Sequence, residues 1–305
     1  MNYSSYRSKD CEPRVKPVVK WAGGKSQILP EIRLRYPDGL GKTIKKYAEP
    51  FIGGAAVLLD ILSTYTMEEV YISDTNAALI NLYKNIRDNV DALIAQLKQD
   101  RDEFIPLLPD KRKEYYYAKR ERFNQLKREG TYGVEMASLF VFINKTCFNG
   151  LYRVNSKGDY NVPMGAYKEP PICDEINLKK VSGLLQGVQI ECGDYHLSER
   201  FADDKTFMYF DPPYRPLTQT ASFTSYTEDC FDDAAQTELA HYIISLAKKG
   251  IHVLASNSDP KNTNENDNFF DDLYAPLTID RIYATRMINS NGNGRGKISE
   301  ILVHN

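Results

Sequence analysis

Apolar residues along this chain fall into short blocks separated by polar, glycine- and proline-containing breaks. The blocks alternate between two periods. Tyr47–Phe51, Glu69–Ser73, Val188–Cys192, Thr206–Phe210 and Ile251–Ala255 are short and rich in aliphatic and aromatic side chains, and they read as strands. Between them lie stretches with helical character: Ala55 to Tyr65, Ala77 to about Arg128, Val134 to about Lys145, and Phe231 to Lys249. Leu79, Ile80, Leu82, Tyr83 and Ile86 recur at helical spacing, as a core-facing stripe does. Two more strands are expected near Ile279–Arg286 and Ile298–Val303, joined by the glycine-rich stretch 289–296. Alternating strands and helices predict an α/β sheet. A mostly helical insertion from about residue 81 to 187 interrupts it, carrying a hairpin around Ser156–Asp159 in which Gly158 supplies a positive-φ turn position. The expected organisation is a tail over 1–15, a sheet domain over 16–80 and 188–305, and the insertion over 81–187.

At 305 residues, 42% apolar and 26% charged, the chain is ordinary for a globular protein. Its longest apolar stretches are too short to span a bilayer, and its first residues lack the apolar centre of a secretory signal. The five cysteines are scattered without a C-x-x-C pair, and the four histidines lack metal-ligand spacing. A cytoplasmic protein with reduced thiols and no metal centre is therefore expected. A net charge of −2 excludes a chain that is basic all over but allows a local basic face. Lys111 to Arg128 is such a stretch, with eight basic residues against two acidic and four aromatics interleaved. It reads equally as a solvated helix face or as a phosphate contact.

The candidate chemistry sits where strands end. Asp211-Pro212-Pro213-Tyr214 follows the Thr206–Phe210 strand, placing a carboxylate at a strand's carboxyl end, where open α/β sheets bind ligands. Two prolines remove N–H donors, so the turn offers carbonyl oxygens beside a flat ring, a setting that suits an exocyclic amine on a planar heterocycle. An ordinary turn has the same residue types. Upstream, Gly23 and Gly24 flank the only tryptophan, Trp21, and precede Lys25-Ser26 without the spacing of a phosphate loop. Ile52-Gly53-Gly54 forms a turn between strand and helix, and Asp74 follows Gly53 by 21 positions at the next strand end, the spacing of an acidic side chain that receives ribose hydroxyls. The G-x-G-x-x-G pattern of dinucleotide enzymes is absent. Arg215 to Tyr226 is polar and rich in Ser and Thr, and reads as a lid or as a surface loop.

Taken together, KWAGGK at 20–25, EPFIGGAAV at 49–57, ISDTN at 72–76, FNGLYRVNSKGDYNVPMGAYK at 148–168, GDY at 193–195, DPPY at 211–214 and RGKISEI at 295–301 resemble the Dam-type DNA adenine-N6 methyltransferases, in that family's order. The resemblance implies a class I S-adenosylmethionine-dependent methyltransferase with a Rossmann-like mixed sheet, whose insertion is the target-recognition domain. S-adenosylmethionine would be the methyl donor, without a metal. Adenine in double-stranded DNA would be the acceptor, usually within GATC, and a restriction endonuclease for the same site is a partner some members have. Carried over by position, Trp21, Lys25, Phe51 and Gly53 belong to the cofactor site, Asp74 to the ribose hydroxyls and Asp194 to the cofactor's adenine amine. Asp211, Pro212 and Tyr214 form the catalytic centre, Asp211 lying between cofactor and substrate. Among DNA contacts, Lys20 and Arg153 match guanine contacts, Leu151 and Pro163 contacts to the thymine methyl, and Phe148 a wedge into the base stack. Asn149 and Tyr167 belong to the same segment. Two positions depart from the pattern: Ala55 stands where a third glycine is frequent, and Ala166 where arginine often stands. Methylation of RNA or of protein glutamine, or silent DNA binding, are the alternative functions that the DPPY turn alone leaves open.

Overall fold

The computed structural model describes residues 15–215, 231–285 and 297–305. In chain order the elements are α1 (Leu29–Arg33), β1 (Lys46–Glu49), α2 (Ala56–Thr64), β2 (Glu69–Asp74), α3 (Ala77–Asp88), α4 (Val90–Phe104), α5 (Pro109–Arg128), α6 (Val134–Thr146), α7 (Glu175–Leu184), β3 (Gln189–Cys192), β4 (Thr206–Phe210), α8 (Asp233–Lys248), β5 (His252–Ser258), α9 (Phe269–Leu273), β6 (Thr278–Thr285) and β7 (Lys297–His304). The lid or loop expected from Arg215 onward lies outside the described residues apart from Arg215 itself, as does the glycine-rich stretch before β7.

The strands form one seven-stranded sheet in the order β3-β2-β1-β4-β5-β7-β6. β3, β2, β1, β4 and β5 pair in parallel, and β7 runs antiparallel between β5 and β6. Alternation along a strand sends neighbouring side chains to opposite faces. Tyr47, Phe207 and Tyr209 accordingly join one apolar cluster, and Ala48, Met208 and Phe210 the other. All five residues of β4 are buried, because both faces of a parallel sheet are covered. The first cluster continues past the sheet into α3, α4, α5 and α6.

Several boundaries differ from the sequence expectation for physical reasons. The helical stretch after Ala77 breaks at Asn89 and again before Pro109. Pro106 and Pro109 remove N–H donors and disfavour helix at the residues before them, and Pro109 then starts α5. The charged segment between β3 and β4 holds a short 3-10 turn, Tyr195–Arg200. The connection after β5 carries the short α9. The hairpin around Gly158 is reduced to a turn with isolated antiparallel bridges, Val154 with Tyr160 and Cys147 with Met164. Gly158 has φ +77° as expected. Ala55, at the start of α2, has φ +61° and ψ +28°, a left-handed conformation that explains why glycine is favoured at that position.

Candidate active site

Successive strands run outward from β1 to β2 and β3 on one side, and from β4 to β5 on the other. The order reverses between β1 and β4, and ligands of open α/β sheets bind outside the carboxyl ends at such a point. Glu49 ends β1 and Asp211 follows β4, so the two carboxylates straddle it. Asp211 Oδ1 lies 2.6 Å from Lys25 Nζ and accepts a hydrogen bond of 3.0 Å from Ser256 Oγ on β5. Burial pushes the Asp211 carboxyl up from its ordinary pKa, while Lys25 and Ser256 pull it back down. The Lys25 ammonium also donates to the Gly23 carbonyl and stands 4.7 Å from the centre of the Tyr214 ring. Tyr214 donates its hydroxyl to Glu300 on β7 at 2.6 Å.

The turn after β4 is pinned from behind. Gln236 on α8 donates to the Pro213 carbonyl at 2.9 Å and accepts from the Asn257 side chain at 3.0 Å. Of the two proline carbonyls the turn offers, that of Pro213 is thus already taken. No bond to the Pro212 carbonyl is found among the described residues.

A cavity of about 360 Å³ opens beside this cluster. Asp211, Lys25, Trp21, Glu49, Gly54 and Ala55 line it from the sheet side, and Lys20, Lys145 and Asn149 from the helical side. Glu49 is 2% exposed and accepts from the Tyr47 hydroxyl at 2.7 Å. Burial, reinforced by the Asp211 charge, pushes its pKa up to about 8 against the opposing pull of that hydrogen bond. Gly53 has φ +43°, and a Cβ there would sit 2.8 Å from the Trp21 ring, so the turn lies directly against the indole.

Gly53 links the cavity to a second group of expected residues. Its N–H donates to Asp74 Oδ2 at 3.2 Å, and Asp74 Oδ1 accepts from the Asn76 N–H at 2.9 Å. Gly193 N–H reaches the Asp74 carbonyl at 3.0 Å, which brings Asp194 to the adjacent strand end. Asp194 is exposed and accepts from the His196 N–H at 2.9 Å. Phe51 stacks on Tyr195 at 5.5 Å, forming an aromatic wall beside it. Carboxylate acceptors, an aromatic wall and a glycine turn at the start of a helix fit an adenosine-bearing group.

The expected DNA contacts gather on the stretch after α6. Phe148, Leu151, Arg153 and Pro163 are exposed, and exposed Asn149 adopts φ +56°. Arg153 Nε donates to the Asn161 side chain at 2.8 Å. Lys20 belongs to this group as well: Nζ stands 5.3 Å from the Tyr167 ring centre, and the buried Asn144 amide bonds Lys20 N–H, Lys20 carbonyl and Gly150 carbonyl together. Asn149 and Lys20 reach the cavity, whereas Arg153, Leu151 and Pro163 do not line it. Ser256, Gln236, Glu300 and Asn144 escaped the sequence reading. Two left a signal: Glu300 inside the RGKISEI stretch, and Asn144 as a polar residue inside an apolar helix.

The sequence profile of the D12 class N6 adenine-specific DNA methyltransferases matches residues 21–288. The chain belongs to this family. It is 48% identical to Type II methyltransferase M.MjaIII of Methanocaldococcus jannaschii, covering 95% of this chain and 99% of the relative. It is 36% identical to Type II methyltransferase M1.LlaDCHI of Lactococcus lactis over 95% of both chains, and 34% identical to the DNA adenine methylase of Escherichia coli K12 over 94% of both. As a member of the D12 class, the chain is an adenine-specific DNA methyltransferase, and its sheet is the class I methyltransferase fold. Family membership implies S-adenosylmethionine as the methyl donor and DNA as the substrate. Among the described residues, no group of His, Cys, Asp and Glu is arranged to hold a metal ion, and no helix is long and apolar enough to cross a membrane.

Proposed function

We propose that this enzyme methylates N6 of adenine within GATC in double-stranded DNA, after extruding the base into the cavity beside Asp211. Asp211, Lys25, Ser256 and Tyr214 clustered at the switch point, on a cavity shared with Asn149 and Lys20, carry this reading. A stacked adenine cannot reach a site at a strand end inside a cavity, so flipping is required, at a cost of roughly a few kcal/mol. Residues 81–187 act as the target-recognition domain. In it Arg153, with Nε anchored on Asn161, keeps its remaining guanidinium edge for guanine, and Leu151 and Pro163 offer apolar contact to a thymine methyl. Phe148, exposed beside Asn149, wedges into the gap left by the base.

S-adenosylmethionine supplies an electrophilic methyl group on a sulfonium. Trp21, Phe51, Gly53, Asp74 and Asp194 would hold it, Asp74 receiving the ribose hydroxyls and Asp194 the adenine amine. Lys25 now occupies the place where the reading sets the target amine, against Asp211 and over the Tyr214 ring. On arrival of the base, N6 replaces the ammonium at Asp211, and Tyr214 stacks on the purine. Acceptance of the N6 hydrogens by Asp211 and the Pro212 carbonyl turns the nitrogen lone pair out of ring conjugation and toward the methyl. Positioning and charge placement are the catalytic contributions. Once methylated, the nitrogen is acidic enough for an ordinary carboxylate to accept its proton.

The Type II names of two relatives favour a companion endonuclease that cuts the same site when unmethylated, both acting in the cytoplasm. The reading is tested by methylome sequencing of a methylation-deficient host that expresses the chain or its Asp211→Ala variant. N6-methyladenine at GATC from the parent and none from the variant is expected. A different motif would overturn the specificity, and near-normal methylation by the variant would overturn the mechanism.

A further inference from the structure

One row of α5 side chains faces the recognition segment. Arg112 donates to the carbonyls of Tyr167 at 3.3 Å and Lys168 at 2.8 Å. Tyr116 hydroxyl and Arg120 Nη1 both reach the Val162 carbonyl, at 2.8 and 3.2 Å. The Asn124 amide donates to the Tyr160 carbonyl at 3.0 Å and accepts the Tyr160 N–H at 2.8 Å. Lys127 Nζ donates to the Gly158 carbonyl at 2.7 Å, and Arg128 pairs with Asp159 at 2.8 Å.

Apart from Lys127, these residues recur every four positions, a ridge inclined about 26° to the helix axis. Their partners descend from Lys168 to Gly158, so the segment lies antiparallel along the ridge. Residues 158–168 bond back to residues 146–155 through the two isolated bridges and backbone hydrogen bonds such as Asn161 N–H to the Arg153 carbonyl and Gly165 N–H to the Thr146 carbonyl. The α5 side chains add a second set of restraints from outside, on backbone carbonyls and one N–H. Bonds to the backbone fix register regardless of the side chains that point toward DNA.

We propose that α5 is a rail that sets the register of the recognition segment, with Asn124 and Arg120 as positioning residues for sequence discrimination. Asn124 is the keystone because, within this α5 row, it holds both the N–H and the carbonyl of one residue, as a strand neighbour would. Slippage of Tyr160 would displace Asn161, and with it the anchor of Arg153. The inference rests on reading residues 148–168 as the segment that meets the bases.

The experiment compares methylation rates on a duplex carrying the parent's site with rates on duplexes that differ from it by one base pair. The variants are Asn124→Leu, Arg120→Met and Arg120→Lys, with Arg153→Ala as control, and each is also measured for S-adenosylmethionine affinity and melting temperature. Asn124→Leu should lower the ratio of rates roughly tenfold and Arg120→Met about threefold, as expected for two lost hydrogen bonds and one. The KM for DNA should rise while cofactor affinity stays within about twofold, since the Asp74 side chain is bonded by Gly53 and Asn76 and not by α5. Arg120→Lys keeps a donor for Val162 and should restore the ratio. An unchanged ratio in folded Asn124→Leu and Arg120→Met overturns the rail. If Asn124→Leu does not fold, the Arg120 pair decides alone, because that side chain is only part-buried. An Arg153→Ala control that leaves discrimination intact overturns the reading of the segment itself, a distinct failure.

Discussion

Replacement of Ser256 by alanine separates what orients Asp211 from what merely stabilises the sheet. Ser256 Oγ lies 3.0 Å from Asp211 Oδ1 and 2.9 Å from the Tyr209 hydroxyl. An ionised carboxylate only accepts, so the serine proton points at Asp211 and the tyrosine proton at Ser256 Oγ. Ser256→Ala therefore deletes one charge-assisted hydrogen bond, worth about 1.5–3 kcal/mol, and strands a buried Tyr209 hydroxyl at a cost of about 1–3 kcal/mol. The first loss falls on catalysis: once substrate displaces Lys25, Ser256 is the bond left holding Oδ1. A loss of that size lowers kcat about 10–100-fold. The second falls on stability, and Tyr209→Phe in the same chain removes the stranded hydroxyl. Melting temperature should drop in Ser256→Ala and recover in part in the double variant, while kcat recovers in neither. Tyr209→Phe alone leaves the serine bond to Asp211 in place and should cost less than about threefold in kcat. The acid limb of the rate should also move to higher pH in Ser256→Ala, because a bond that favours the charged carboxylate has gone. A folded Ser256→Ala enzyme with kcat within twofold of the parent refutes the reasoning, as does a Tyr209→Phe enzyme equally impaired.

Glu49 has a folded pKa of about 8 against an ordinary 4.5, so between those values the folded chain binds more protons than the unfolded one. Its contribution to stability is thus present at low pH and lost as pH rises from about 4.5 to 8, and Glu49→Gln should flatten that decline in a series of thermal melts. Gly53→Ala drives a methyl into the Trp21 ring at a positive φ, and should weaken S-adenosylmethionine about tenfold or more. Trp21, the only tryptophan, reports the titration by its fluorescence. Arg153→Ala should cost about 1–3 kcal/mol of discrimination at one base pair, read from rates on single-substitution duplexes, with cofactor affinity unchanged.

The strands and the Asp211 turn were legible because each rests on local pattern: short apolar runs bounded by turn residues, with acids at their ends. Ser256, Gln236 and Glu300 were not. Each reaches the site from an element later in the chain: the sheet order sets β5 beside β4 and β7 beside β5, and α8 brings Gln236 behind the turn. Lys25 was legible as a site residue, but its ion pair with Asp211 was not, since nothing in the spacing of residues 25 and 211 joins them. The α5 run exposes a different limit. A count of charges cannot tell whether a guanidinium faces phosphate or a carbonyl of its own chain, and both readings of residues 111–128 assumed an outward face. Off the ridge, Arg122 pairs with Glu135 and Lys119 with Asp100, partners within the fold as well. The informative signal was a row in which Arg112, Tyr116, Arg120, Asn124 and Arg128 repeat at four-residue spacing. A phosphate-binding face needs only positive charge. A row that mixes guanidinium, phenol and amide is held together by donor capacity, and that is what a backbone lying along the helix requires.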